Sequence, residues 1–179
     1  CTILYLKSME RSILDIIIAM FSINLFRYFV VATPAFVLFY LLFRKRWSGK
    51  KIQARFPKYK DYQREIWYSM LTIFIFVGIG LIVFATPFRN YIQLYQDFDA
   101  YGWDYWLLSI LLMIILHDTY FYWTHRAMHH PRLFKYFHLV HHKSTNPSPW
   151  AAYAFHPLEG IIEAGIIFPI VLLIHCQPP

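Results

Sequence analysis

Histidine is the residue type whose number and spacing in this sequence point most directly to chemistry. Eight of the nine histidines fall between residues 117 and 156. His125 and His129 are four residues apart, so a helix would place both imidazoles on one face, about 5–6 Å apart at Cβ. A second group has the spacing i, i+3 and i+4, which one helical turn would project from one side. Its members are His138, His141 and His142. These five imidazoles predict a metal site, and they exceed what one tetrahedral zinc ion requires, which favours two adjacent metals.

Pro131 separates the two histidine groups. A proline ring cannot continue a helix, so the break at Pro131 allows a second helix to fold back and aim its histidines at those of the first. The only cysteines are Cys1 and Cys176. They form no Cys-x-x-Cys site and no disulfide framework, and a metal here must therefore use histidine.

Four more residues are candidates for the same site. His117 is either a further ligand or a buried, hydrogen-bonded histidine, and His156 could close the site from the far side of a proline-rich loop. Asp118 and Glu159 are candidate partners for ligands, because a metal-bound imidazole usually donates its other N–H to a carboxylate or carbonyl.

Two histidines are predicted to lie outside the ligand set. His130 points about 100° away from His129 on a helix. His175 stands alone after an apolar run, where a structural role is the simpler interpretation.

The composition indicates a membrane protein. The 179 residues are 58% hydrophobic and 21% aromatic, which is too apolar for an ordinary soluble domain. The formal charge of +7 does not indicate nucleic-acid binding, because the basic residues gather beside apolar stretches.

The apolar stretches predict an all-α fold, an integral membrane helical bundle that carries a histidine-rich metal site. The whole chain, 1–179, is interpreted as one partial membrane domain with its histidine region at 117–159. The predicted spans are about 13–43, 66–86, 105–123 and a partial one at 161–174.

Two of these spans leave alternatives open. Arg27 and Pro34 interrupt the first, which favours one kinked helix over a short interfacial helix followed by a span from about Tyr28. The last is either a re-entrant hairpin or half of a crossing, and residues 87–104 suit a loop or a shallow interfacial segment.

Charge predicts which side of the membrane each segment faces. Residues 44–60 hold eight basic residues and, up to Lys60, no acidic one. Arg126, Arg132, Lys135 and Lys143 follow the third span. By the positive-inside tendency both groups are cytoplasmic, and so is the metal site. The chain begins at Cys1 and stops just after an apolar run, so the sequence predicts a fragment without a signal peptide.

Residues 117–159 resemble the fatty acid hydroxylase superfamily, which includes sterol desaturases and sterol methyl oxidases. The resemblance rests on two runs, HDTYFYWTHRAMHH and FKYFHLVHHKSTNPSPWAAYAFHPLE. The preceding RFPKYKDYQREIWYS and YGWDYW are similar to the bacterial branch.

This resemblance implies a membrane enzyme with two iron ions that uses dioxygen to hydroxylate or desaturate a lipid of sterol or fatty acyl type. Electrons would come from an external donor of cytochrome or ferredoxin type. His125 and His129 match the first histidine motif of the family, and the group from His138 to His142 matches the second. The third is not found within these 179 residues, so the expectation is that this fragment alone is inactive.

The sequence leaves two alternative functions. A membrane-embedded zinc-dependent hydrolase would need a general base, but no glutamate lies between His125 and His129. A haem electron-transfer protein would be expected to carry isolated histidines on separate spans rather than clusters.

Overall fold

A computed structural model of the protein describes residues 13–50, 53, 55–92 and 101–174. Over these residues the chain is helical, with no β-strand. Three helical runs are long and apolar enough to cross a membrane, namely Ile13–Leu42, Tyr59–Ala85 and Gly102–Met128. The prediction of an all-α membrane bundle is therefore confirmed.

The first run does not divide at Tyr28. Helix α1 extends over Ile13–Phe36 and passes through Pro34, after which the chain widens into a π-helical segment, Val37–Leu42. Pro34 lacks the N–H of one helical hydrogen bond, and the wider turns begin three residues after it, at Val37. The short helix α2, Arg44–Ser48, follows and carries part of the basic segment.

Helix α3, Tyr59–Ala85, begins seven residues earlier than the predicted start at 66. Its first two turns are polar, so apolar runs did not reveal them. Asp61 at the third helical position accepts a hydrogen bond from the backbone N–H of Lys58 (2.9 Å) and pairs with Arg64 (3.0 Å). A carboxylate in this position satisfies a free donor and complements the helix dipole, which fixes the start of α3.

The region predicted as a loop, 87–104, is described in two parts. A 3-10 turn, Pro87–Tyr91, follows α3, while residues 93–100 lie outside the described part of the chain. Helix α4, Gly102–Met128, then begins at a glycine with φ of 70°, a left-handed conformation that favours glycine.

The remaining elements are short. They are α5 (Pro131–Phe137), α6 (Leu139–His142), a 3-10 turn (Pro149–Tyr153), α7 (Pro157–Ala164) and α8 (Ile167–Leu173). The final apolar run is thus divided between α7 and α8 by a break at Gly165 and Ile166, and neither helix is long enough to cross a bilayer.

The 3-10 turn Pro149–Tyr153 is held against the two membrane helices α1 and α3. The carbonyl oxygen of Trp150 accepts hydrogen bonds from the hydroxyl groups of Tyr28 (2.8 Å) and Ser69 (2.9 Å). Tyr28 and Ile73 are buried beneath it. The loop that follows the histidines is therefore hydrogen-bonded to the membrane helices α1 and α3.

Further contacts tie the same loop to the basic segment and to the start of α3. Buried Glu65 accepts hydrogen bonds from the hydroxyl (2.5 Å) and the backbone N–H (3.3 Å) of Ser148. Asn146 donates to the carbonyl of Arg55 (2.6 Å), and Arg64 donates to that of Lys143 (3.3 Å). The histidine region and the basic segment consequently lie at the same end of the bundle.

Candidate metal centre

Helix ends bring the two histidine groups together. His125 lies in the last turn of α4, and His129 is the residue at which that helix stops. The side chain of His130 then accepts the backbone N–H of Arg132 (3.4 Å), so it caps α5, which begins at Pro131. The predicted reversal at Pro131 is found here, because an extended His130 turns the chain back before α5 starts.

The second group departs from the single helical turn that its spacing predicted. His138 ends α5 and precedes α6, whereas His141 and His142 lie within α6. The junction turns the ring of His138 inward, where it is completely buried. The three side chains still converge, although they come from two short helices rather than one.

The five histidine rings form one cluster. The Nε2 atoms of His125 and His129 are 3.1 Å apart. The ring of His138 is central, with its centroid 4.5 Å from that of His125, 4.7 Å from those of His129 and His142, and 5.1 Å from that of His141. Donor nitrogens at about 2.1 Å from one ion stand about 3 Å apart when adjacent, so the spacing of His125 and His129 suits a shared metal.

His138 and Glu159 form a buried pair beside this cluster. The Nδ1 of His138 lies 2.7 Å from Oε1 of Glu159, and both side chains are inaccessible to solvent. With Nδ1–H donating to the carboxyl group, the lone pair of the imidazole is left on Nε2. That Nε2 atom is buried and has no hydrogen-bond partner among the described residues.

An orphaned, buried nitrogen of this kind fits a metal ligand. Three histidines, His125, His129 and His138, each offer a nitrogen within 4.8 Å of the others. A carboxyl group that holds the opposite nitrogen is the usual way in which proteins orient a metal-bound imidazole. The donor set therefore could hold a metal ion, and its chemistry is that of imidazole ligation.

Burial keeps two histidines of the cluster, His138 and His141, in the form that binds metal. Burial, assisted by the charges of the neighbouring histidines, lowers the pKa of His138 to about 3 and also lowers the pKa of His141. Burial raises the pKa of Glu159 to about 8. The two imidazoles are consequently neutral at physiological pH, with lone pairs available to a cation.

The structure does not bring the remaining candidates to these five rings. His117 and Asp118 contact each other (3.2 Å) on the exposed side of α4. The Nδ1 of His156 accepts the backbone N–H of Leu158 (3.3 Å) and so caps α7. His175 lies outside the described residues.

Three phenylalanines around the cluster were not recognised from the sequence. The ring of Phe121 stacks on His125 (centroids 5.3 Å apart), and that of Phe155 stacks on His141 (5.7 Å). Phe134 contacts the rings of His129 and His142. The spacing i, i+4 from Phe121 to His125 was the one available signal, and aromatic residues are too frequent in this sequence for it to stand out.

A cluster of imidazoles at the end of the membrane helix α4 and on the two short helices that follow it defines a class: membrane proteins with a histidine site that could bind metal. Comparison with known proteins shows what the chain is similar to. Residues 110–179 match the family model described as fatty acid hydroxylase. The part of the chain that holds the five clustered histidines is therefore similar to this family.

Curated relatives are similar over larger parts of the chain. A delta(7)-sterol 5(6)-desaturase of Gibberella zeae is 35% identical over 76% of this chain and 41% of its own length. A methylsterol monooxygenase of Danio rerio is 31% identical over 84% of this chain and 50% of its own. Lathosterol oxidase of Rattus norvegicus is 34% identical over 52% of this chain and 32% of its own length. The chain thus spans half or less of these relatives, and no solved structure matches it.

Proposed function

We propose that the protein is a membrane oxygenase that uses dioxygen to hydroxylate or desaturate a lipid, with two irons held by the histidine cluster. The observation that carries this proposal is the buried Nε2 of His138, which has no partner although Nδ1 is fixed by Glu159. The names of the curated relatives, which are sterol desaturases and a sterol monooxygenase, support a sterol or another lipid as substrate.

The proposed ligands are the five clustered histidines, His125, His129, His138, His141 and His142. Five imidazoles exceed the needs of one tetrahedral ion, which favours two metals over one. Iron bound there would supply the activation of dioxygen that oxidation of an inert C–H bond requires. Zinc has no redox chemistry and would not serve.

The chain's own residues prepare the site for this role. Glu159 fixes the tautomer and the orientation of His138 through the 2.7 Å hydrogen bond. The rings of Phe121 and Phe155 stack on His125 and His141, so each of these two imidazoles has an apolar ring on one face. Glu159 is hydrogen-bonded to Nδ1 of His138, on the side of the imidazole opposite Nε2. A hydrolase would require a base that activates a metal-bound water, and Glu159 is not in that position.

We further propose that the cluster lies on the cytoplasmic side. The loop after the histidines is hydrogen-bonded to the basic segment through Asn146 and Arg55, so both basic groups belong to one end of the bundle. This basic surface suits an acidic redox carrier of cytochrome or ferredoxin type as electron donor.

Metal analysis of the purified protein tests the proposal. After anaerobic reconstitution of the full-length protein with ferrous iron in detergent, we expect two tightly held irons in the wild type and a clear loss in His138→Ala. His130→Ala is the matched control, since this neighbouring histidine caps α5 outside the cluster. One zinc per chain with no retention of iron would contradict the proposal, and so would unchanged iron binding in His138→Ala.

A further inference from the structure

A small pocket lies where the first membrane span ends and the basic segment begins. Phe39 and Tyr40, from the π-helical turns at the end of the span, line it together with Arg44 and Lys50 from the segment that follows. Its volume of about 180 Å³ is below the range of roughly 300–1,000 Å³ that sites for drug-sized ligands occupy. This interfacial pocket therefore suits one polar group of a larger molecule rather than a whole ligand.

Aromatic rings hold the two cations of the interfacial pocket in place. The guanidinium carbon of Arg44 lies 4.1 Å from the ring centroid of Phe56. The Nζ of Lys50 lies 4.9 Å from that of Trp47. Both distances are within the roughly 6 Å over which the face of an aromatic ring attracts a cation. The two positive charges thus have defined positions and do not extend freely into solvent.

The rings that hold the cations are themselves supported by the end of the span. Phe56 lies edge-on to Tyr40 with centroids 5.8 Å apart, and the hydroxyl of Tyr40 donates to the carbonyl of Pro147 (3.1 Å). Trp47 lies edge-on to Phe39, with centroids 5.6 Å apart. The walls of the interfacial pocket are therefore packed against both the first span and the loop that follows the histidines.

Arg44 and Lys50 have no carboxylate partner in the part of the chain that the structure describes. Segment 44–60 contains no acidic residue. The ion pairs among the described residues all lie elsewhere, at Arg64–Asp61, His117–Asp118 and His138–Glu159. Two uncompensated cations at one pocket favour an anion, and a phosphate oxygen accepts charge-assisted hydrogen bonds from both a guanidinium and an ammonium group.

A second cleft shares the rings of Phe39 and Trp47 with the interfacial pocket. It has a volume of about 260 Å³, and its other lining residues are Leu38, Phe43 and Arg46. Leu38 and Phe43 are exposed at the end of the span, where hydrocarbon covers such side chains in a bilayer. A molecule with an anionic group in the interfacial pocket would therefore find apolar surface for a hydrocarbon chain in the adjoining cleft.

We propose that the interfacial pocket binds the phosphate group of an anionic phospholipid, with Arg44 and Lys50 as its counter-charges and an acyl chain in the adjoining cleft. The apolar cleft favours a lipid over a soluble anion, and the small volume favours a single phosphate over an acidic protein. Anionic lipids are enriched in the cytoplasmic leaflet, the side proposed for this end of the bundle. The inference does not depend on the proposed oxidation, and the basic group from Arg126 to Lys143 lines neither cavity and remains available to a redox carrier.

Equilibrium binding of lipids to the purified full-length protein tests the inference. The protein is held in mixed micelles of nonionic detergent and unlabelled phosphatidylcholine at physiological salt. The probes are phosphatidylglycerol and phosphatidylcholine that carry the same fluorescent acyl chain, so that they differ only in the headgroup. We expect phosphatidylglycerol to bind roughly tenfold more tightly, because each cation near an anionic lipid surface contributes roughly a fivefold gain in affinity.

Variants separate the interfacial pocket from the charge of the whole segment. Arg44→Gln/Lys50→Gln should abolish the preference for phosphatidylglycerol and leave the binding of phosphatidylcholine unchanged. Lys45→Gln/Lys60→Gln is the matched control, since it removes the same charge from residues that line neither cavity, and it should change the preference less than about twofold because salt screens exposed charges beyond about 8 Å. Phe56→Leu keeps every charge but removes the ring beneath Arg44, so the preference should fall roughly threefold.

Several outcomes would overturn the inference. Equal affinity for the two lipids would exclude an anionic site, and equal losses in the pocket variant and its matched control would assign the attraction to net charge alone. An unchanged preference in Phe56→Leu would exclude the stacked geometry. Circular dichroism verifies folding, and if Phe56→Leu does not fold, Arg44→Lys makes the same test, because it keeps the charge without the planar guanidinium.

Two competitors distinguish a lipid from the other anions that a basic pocket might attract. Bound phosphatidylglycerol should be retained when glycerol 3-phosphate or a plant-type ferredoxin is added in excess. Complete displacement by glycerol 3-phosphate would assign the interfacial pocket to a soluble phosphate compound. Displacement by ferredoxin would assign it to the acidic redox carrier. Either result overturns the lipid assignment.

Discussion

Glu159 offers a sharp test of how the proposed metal centre is held. In Glu159→Ala the buried Nδ1–H of His138 loses its only acceptor in the described structure, at 2.7 Å. A buried donor left without a partner costs about 1–3 kcal/mol. The imidazole can recover part of this cost by rotating or by changing tautomer, and either change moves the lone pair of Nε2 away from the cluster. We therefore expect the metal affinity to fall about 10–100-fold, equivalent to about 1.4–2.7 kcal/mol.

Titration with cobalt(II) at neutral pH in detergent, against a competing chelator, measures this change through the visible absorption of the bound ion. Glu159→Gln retains an oxygen that accepts from Nδ1–H and should lose less than Glu159→Ala. Asp118→Ala is the matched control, because its carboxyl group contacts His117 outside the cluster. Wild-type affinity in Glu159→Ala, or a larger loss in Glu159→Gln than in Glu159→Ala, would refute the reasoning.

Three further predictions concern topology, acidity and packing. A cysteine at position 48, in place of Ser48, should be labelled by an impermeant reagent only in opened cells, whereas one at Tyr91 should be labelled in intact cells; the reverse pattern contradicts the cytoplasmic placement. Burial lowers the pKa of His156 in the folded protein below 6.5, the ordinary value that applies to the unfolded chain. Below pH 6.5 the unfolded chain therefore binds a proton that the folded chain does not yet bind. The free energy of unfolding consequently falls as the pH drops. His156→Asn keeps a capping side chain without this titration, so thermal unfolding should show the variant gaining stability relative to the wild type below about pH 6.5. Glu65→Ala removes both hydrogen bonds to Ser148 and should lower the free energy of unfolding by about 1–3 kcal/mol, measured by denaturation in mixed micelles.

The sequence was informative where a rule of spacing or composition applies to a single segment. Apolar runs predicted the three long helices because a membrane span must be apolar along its whole length. Pro131 predicted the reversal between the two histidine groups because a proline has no N–H to continue the helix. Because the predicted spans were read from apolar runs, the polar first turns of α3, which begins at Tyr59, were missed.

Contacts between distant segments could not be read from spacing. The pairing of His138 with Glu159 joins residues 21 positions apart, and the sequence identified Glu159 only as a candidate partner without saying for which ring. Asp118 was an equal candidate, yet its contact is with the neighbouring His117. Which carboxylate reaches a buried ring depends on how α7 packs, and no periodicity within α7 encodes that.

The carbonyl group of Trp150 accepts two hydrogen bonds, from Tyr28 on α1 and Ser69 on α3. Every amino acid has a backbone carbonyl, so replacing Trp150 would keep the acceptor of both hydrogen bonds and remove the contacts of the indole with Tyr28, Phe29 and Phe36. Only a change of the donors removes these hydrogen bonds. Tyr28→Phe and Ser69→Ala each remove one of them, and the double mutant is needed to remove both.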